Sequence, residues 1–121
     1  MPDIKTKKQY ARGDVIAAEG EYSFEWFILL SGSVGVFKKD VLVETFTEAG
    51  NIFGELSTIL TRPRTATLKA LNDTEILRMG GEHTSLDDLI TQYPDLTKKI
   101  LVNLAERLAK TTEELWTSIH N

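Results

Sequence analysis

Phe53-Gly54-Glu55-Leu56-Ser57-Thr58-Ile59-Leu60-Thr61-Arg62-Pro63-Arg64-Thr65-Ala66-Thr67 is the stretch around which the rest of this chain is organised. A glycine opens a short helical turn between two strand-like segments, and an arginine returns nine residues after the glutamate. Gly54 lets backbone come close to a ligand. The free N–H groups at the start of a turn over 55–60 favour an anion. Arg64 adds a charge-assisted hydrogen bond to the same anion. Ionised Glu55 only accepts hydrogen bonds, so it suits a ligand that also carries a hydroxyl, such as a ribose 2′-OH. Helix amides, an arginine and a carboxylate together describe a phosphate fused to a sugar that keeps one free hydroxyl.

Outward from this stretch, the first 80 residues are punctuated by glycines at 13, 20, 32, 35, 50 and 54. Short strands are expected over 10–12, 15–18, 26–30, 33–38, 41–46, 65–70 and 74–79, with turn signals at Gly13-Asp14, Lys39-Asp40 and Asn72-Asp73. Strands this short and evenly spaced suggest a barrel, roll or jelly roll rather than a parallel sheet, and a jelly-roll-like antiparallel β-roll of about eight strands is the expectation adopted. Beyond residue 84 the period changes, giving an α+β chain: a roll over about 1–80 and C-terminal helices over about 84–120. Thr84 or Ser85 caps a first helix to Tyr93, and Asp87 and Asp88 suit its positive end. Pro94 opens a second helix running towards His120, about 40 Å long at ~1.5 Å per residue. Leu101, Leu108 and Leu115 recur at seven, with Leu104, Thr111 and Ser118 at the complementary positions, a short heptad seam.

Composition narrows the function classes. The chain has 121 residues, 41% apolar and 26% charged, which suits one soluble domain with its own core. The absence of cysteine excludes disulfides, thiol catalysis and thiolate metal sites. A net charge of −4 argues against direct nucleic-acid binding, and the basic cluster Lys5, Lys7, Lys8 and Arg12 reads as a solvated edge. No run is long enough to span a membrane and no signal region opens the chain, so a cytoplasmic protein is expected.

The 53–67 stretch resembles the phosphate-binding cassette of cyclic-nucleotide-binding domains, as in protein kinase A regulatory subunits, bacterial catabolite activators and nucleotide-gated channels. The Phe53-Gly54-Glu55-Leu56 start, Pro63-Arg64 and Ala66-Thr67 carry the resemblance at the kinase spacing. It continues through Gly13, Gly20, Ser31-Gly32-Ser33-Val34 and Gly50. Downstream, Tyr93-Pro94-Asp95-Leu96 and Ala105-Glu106-Arg107-Leu108 are similar to the dimerisation helix of the catabolite activators. The resemblance implies that Glu55 takes the ribose hydroxyl and Arg64 the cyclic phosphate. It implies cassette contacts from Gly54, Leu56, Thr65 and Ala66, and places Thr111 and Thr112 where that family has a Thr-Ser pair near the adenine. The implied ligand is cAMP or cGMP, with no further cofactor. The implied assembly is a homodimer through the C-terminal helix, which signals to an effector domain or separate partner not present in this chain. Asn51 stands where many members carry aspartate. Thr65 replaces the alanine of cAMP-selective kinase sites and leaves the base preference open.

Taken singly, Gly54 and Pro63 are ordinary turn residues, and Glu55 and Arg64 ordinary surface charges; their joint spacing favours the site. Arg62 reads as a solvated neighbour, Trp26, Phe27 and Phe37 as core, and Tyr93 and Trp116 as packing residues before purine stackers. His83 and His120 are isolated, so no metal site is expected, and no nucleophile–base arrangement suggests an enzyme. The rival expectation is a non-binding interaction domain of the same fold, against which the joint presence of Glu55 and Arg64 argues.

Overall fold

The computed structural model describes residues 6–80 and 85–120. Lys5 of the basic cluster, and His83 and the candidate cap Thr84, lie outside the described residues. The chain divides into two compact units, Met1–Leu86 and Asp87–Asn121.

The first unit holds β1 (Thr6–Tyr10), β2 (Val15–Ala17), β3 (Trp26–Ser31), β4 (Val34–Lys38), β5 (Val41–Phe46), β6 (Ile52–Phe53), α1 (Leu56–Leu60), β7 (Thr67–Ala70) and β8 (Thr74–Met79). One sheet is ordered β1-β8-β3-β6 and the other β2-β7-β4-β5, with every pair antiparallel. Only β4 and β5 are neighbours both in sequence and in a sheet; the other connections pass from one sheet to the other. This is the expected antiparallel roll.

Along β8, Thr74 and Ile76 alternate inward and Met79 is buried at its end, and Ile76 joins Phe27, Leu29, Val34, Phe46, Phe53 and Leu68 in the core. Each large apolar side chain so buried stabilises the roll by about 1.5–3 kcal/mol. Phe53 stacks on Phe46 at 5.6 Å and packs on Phe27 at 5.2 Å, so the first residue of the cassette is itself part of the core. Gly32 has φ +91°, and a Cβ there would run into the Asp73 carbonyl and Thr74, which only glycine avoids.

The strands depart from expectation at three places. β1 runs over Thr6–Tyr10 instead of 10–12, because it is an edge strand paired only with β8 and exposed except at Tyr10, so no alternation marks it. Ile52–Phe53 forms a two-residue strand against β3, too short to leave a pattern. β7 starts at Thr67, leaving Thr65 and Ala66 in a bend.

The second unit contains most of α2 (Leu86–Gln92) and all of α3 (Pro94–His120). Proline disfavours helical geometry at the preceding residue, which separates the two at Tyr93. Thr97 ties the junction together, its Oγ1 donating to Leu89 O at 2.9 Å and Tyr93 O at 2.8 Å. Leu89 and Ile100 are buried, whereas Leu101, Leu108, Leu115 and Ile119 are each at least 60% exposed. Among the described residues no helix is long and apolar enough to cross a membrane.

Candidate functional site

The cassette is built as a reversal between β6 and β7. Gly54, at φ +78°, turns the chain out of β6, and a Cβ on it would sit 2.7 Å from the Phe27 ring and 3.1 Å from the Arg64 guanidinium. Glu55 then enters α1 in helical geometry. Two buried hydroxyls fasten α1 to the β2–β3 loop: Ser57 Oγ donates to Ser23 O at 2.9 Å, and Thr58 Oγ1 to Phe24 O at 2.6 Å. Thr61 ends the helix in left-handed geometry with its N–H on Ser57 O. Pro63 cannot continue a helix, and the chain returns towards β7 at Arg64. The Arg64 backbone is pinned on both sides, its N–H donating to Glu21 O and its O accepting from Gly20 N–H, both at 2.8 Å.

Of the three charged residues in the cassette, Glu55 and Arg64 are buried, to 3% and 5% exposure, and Arg62 is exposed. Buried charges are costly unless something in the site uses them. The Arg64 fork donates from one terminal nitrogen to Gly54 O at 2.8 Å and from the other to Glu25 O at 2.5 Å, with a longer contact to Ser23 Oγ at 3.4 Å. Its Nε is buried and has no hydrogen-bond partner among the described residues. Burial pulls the guanidinium below its ordinary pKa, while the carboxylates of Glu25, Glu21 and Glu55 pull it back up. A guanidinium stays charged under these conditions, so Arg64 presents a fixed, desolvated positive charge with donor capacity to spare.

Phe27 provides the platform. Arg64 lies 5.2 Å and Arg78 5.8 Å from its ring centroid, in cation–π range. Arg78 grips the Glu25 carboxylate with two nitrogens, at 3.0 and 2.6 Å, and donates to Tyr10 Oη at 3.1 Å. The bond to Glu25 holds Arg78 above its ordinary pKa. Arg78 is thereby committed to Glu25, and Arg64 is the cation kept with an open donor.

Of the residues singled out from sequence, Gly54, Glu55, Leu56, Arg64, Thr65 and Ala66 share this reversal. Leu56 is 40% exposed, Thr65 exposed and Ala66 half-buried. Arg62 is exposed, as expected for a solvated neighbour. Thr111 and Thr112 lie on α3 in the second unit, both exposed, with Thr112 Oγ1 donating to Leu108 O at 2.9 Å. Sequence reasoning missed Ser23 and Glu25, which reach the cassette from 34 to 41 positions away, and Arg78, which holds the Glu25 carboxylate. Only the phase of β8, which turns Arg78 to the same side as Thr74 and Ile76, signalled any of them. An open cleft of about 710 Å³ lies elsewhere, lined by Gln9, Asp14, Ser31, Asp73, Thr74 and Glu75. It shares no residue with the cassette, and its carboxylates would repel a phosphate. Among the described residues no group of His, Asp and Glu is arranged to hold a metal.

Glu55 and Arg64 are thus buried together on one strand-to-strand reversal of a two-sheet antiparallel roll. Residues 7–93 match the family model of the cyclic nucleotide-binding domain, and the chain belongs to that family. It is 32% identical over 80 residues to a cAMP-dependent protein kinase regulatory subunit of Hypocrea atroviridis, covering 66% of this chain and 17% of that protein. It is 30% identical over 110 residues to a CRP-like cAMP-activated global transcriptional regulator of Mycobacterium tuberculosis, covering 88% of this chain and 48% of that protein. The chain thus spans half or less of the length of these relatives. Among solved structures, the Thermus thermophilus catabolite activator protein superposes with a TM-score of 0.74 at 26% identity, over 92% of this chain and 53% of that one. These relatives are regulatory proteins by name.

Proposed function

We propose that this chain is a sensor domain that binds cAMP or cGMP in the 53–67 cassette and passes the signal on through α3, without catalysing a reaction. The observation that carries it is the burial of Arg64 with carbonyl partners and an open Nε–H, in the same reversal as buried Glu55. A cyclic phosphate has one negative charge to offer that guanidinium, and the ribose has one free hydroxyl to offer the carboxylate. Gly54, Leu56, Thr65 and Ala66 line the approach, and the hydroxyl of Thr65 is available to a guanine amine. The relatives named for cAMP support the ligand class.

The sugar contact supplies the test. With Glu55 accepting from the 2′-OH, 2′-deoxy-cAMP binds more weakly than cAMP by about 1–3 kcal/mol, because a buried acceptor loses its donor. Glu55→Gln shrinks that difference. Equal calorimetric affinities for the ribo and deoxy ligands would remove Glu55 from the site.

The output side rests on α3. Leu101, Leu108 and Leu115 are 67%, 68% and 60% exposed, and Leu104, Thr111 and Ser118 fall between and after them at alternating steps of three and four. Such a stripe is covered when two helices pair. The reading is a homodimer through α3 that cyclic nucleotide tightens, with Thr111 and Thr112 at or beside the seam, where a base can bias one helix arrangement over another. Sedimentation of the wild type is expected to show a dimer that strengthens with saturating cAMP, and Leu108→Glu a monomer with and without it. A wild-type monomer under every condition would contradict the dimer.

A further inference from the structure

The β4–β5 hairpin turns on Lys39 and Asp40, both left-handed at φ 47° and 69°. Paired left-handed residues suit the twist of a two-residue hairpin, although non-glycine residues adopt them sparingly. This turn aims the Lys39 N–H at Glu19, whose Oε1 accepts it at 3.2 Å. The other carboxylate oxygen accepts from Lys38 Nζ at 3.0 Å. Lys38 Nζ also donates to the carbonyl of Thr65 at 2.8 Å, and the Glu19 N–H donates to Thr67 Oγ1 at 3.0 Å. Beside these, Gly20 and Glu21 hold both backbone groups of Arg64. Segments 19–21 and 38–39 therefore close together on residues 64–67.

An ordinary ion pair with side chains 51% and 28% exposed stabilises a fold very little. This one differs in its attachments, since each member also bonds a residue of the cassette's return limb. Lys38 first, and then the Lys39 N–H, keep the Glu19 carboxyl below its ordinary pKa, in keeping with a carboxylate engaged on both oxygens.

We infer that Glu19 and Lys38 are positioning residues of the nucleotide site: a clasp that fixes the Arg64–Thr65 backbone in its anion-receiving arrangement without touching the ligand. The inference rests on the cyclic-nucleotide function proposed above. With the clasp closed, the limb that carries Arg64 is ordered before the ligand arrives. Without it, binding must order that limb, and affinity falls by the cost of doing so.

The test combines calorimetry with amide hydrogen exchange on wild type, Lys38→Met, Lys38→Arg, Glu19→Gln and the Lys38→Met/Glu19→Gln double variant. Lys38→Met keeps the stem and removes the ammonium. It is expected to weaken cAMP and cGMP binding by about three- to tenfold. In the ligand-free protein it speeds exchange at the Gly20 and Arg64 amides and leaves the Leu29 amide, bonded to Asn51 O, as in wild type. Lys38→Arg restores most of the affinity, and the double variant is no weaker than Lys38→Met because the two residues act as a unit. Wild-type affinity and unchanged exchange in Lys38→Met would overturn the clasp, and so would exchange raised equally at Leu29. A wild type that binds neither nucleotide would instead remove the proposed function. The exchange comparison would then still decide the clasp, supporting it if the change is confined to Gly20 and Arg64 and overturning it if none appears.

Discussion

Arg64→Ala is expected to weaken cyclic-nucleotide binding by about 2–5 kcal/mol, the range for truncating one partner of a buried, hydrogen-bonded charge pair. By affinity arithmetic that is a loss of about thirtyfold to several-thousandfold. The side chain also bridges Gly54 O and Glu25 O and lies over Phe27. Its removal therefore has a second effect, orphaning two carbonyls at a cost to stability of about 1–3 kcal/mol. The two effects separate in Arg64→Lys, which keeps the charge but cannot reach both carbonyls and an anion together. Lysine should recover part of the affinity and less of the stability. Calorimetric titration beside thermal melting reads both quantities. Unchanged affinity in a folded Arg64→Ala variant would contradict the assignment of the anion site.

The second large effect falls on Gly54. At φ +78°, alanine carries the left-handed penalty of about 1–2 kcal/mol. Its Cβ would also press on the buried Phe27 ring at 2.7 Å, an overpacking cost of about 1–3 kcal/mol. Phe27 is fully enclosed beside Phe53 and cannot yield freely. Gly54→Ala is therefore expected to lose about 2–5 kcal/mol of stability. Because the same Cβ crowds the Arg64 guanidinium at 3.1 Å, it should impair ligand binding even where the protein stays folded. Denaturant unfolding and titration of the same sample check both. A variant with wild-type stability and affinity would show that the reversal does not depend on the glycine.

The cassette was legible because its chemistry is compressed into fifteen consecutive residues whose types have few other uses together. Gly54, Pro63 and Arg64 each stand where their physical properties are needed: a left-handed turn, a helix stop and a buried fork. The roll was legible from its short, glycine-punctuated strands, and the helices from the change of period beyond residue 84. What escaped depends on contacts between distant segments. Lys38, at the end of its strand, carries no signal of its own until the fold brings Thr65 and Glu19 to its ammonium. Glu25 reads as one more surface acid, yet its carboxylate holds Arg78 and its carbonyl holds Arg64. β1 escaped for the opposite reason: an edge strand with Lys7 and Lys8 exposed has no buried face to imprint a period of two.

Calorimetric titration of the wild-type chain with cAMP, cGMP and 5′-AMP tests the central claim most directly. A site with one buried guanidinium suits a singly charged cyclic phosphate, whereas 5′-AMP brings a second charge that must be desolvated without a partner. Saturable binding of cAMP or cGMP at one site per chain, with 5′-AMP much weaker, is the predicted result. No binding of either cyclic nucleotide, or 5′-AMP bound as well as the better of the two, would contradict it.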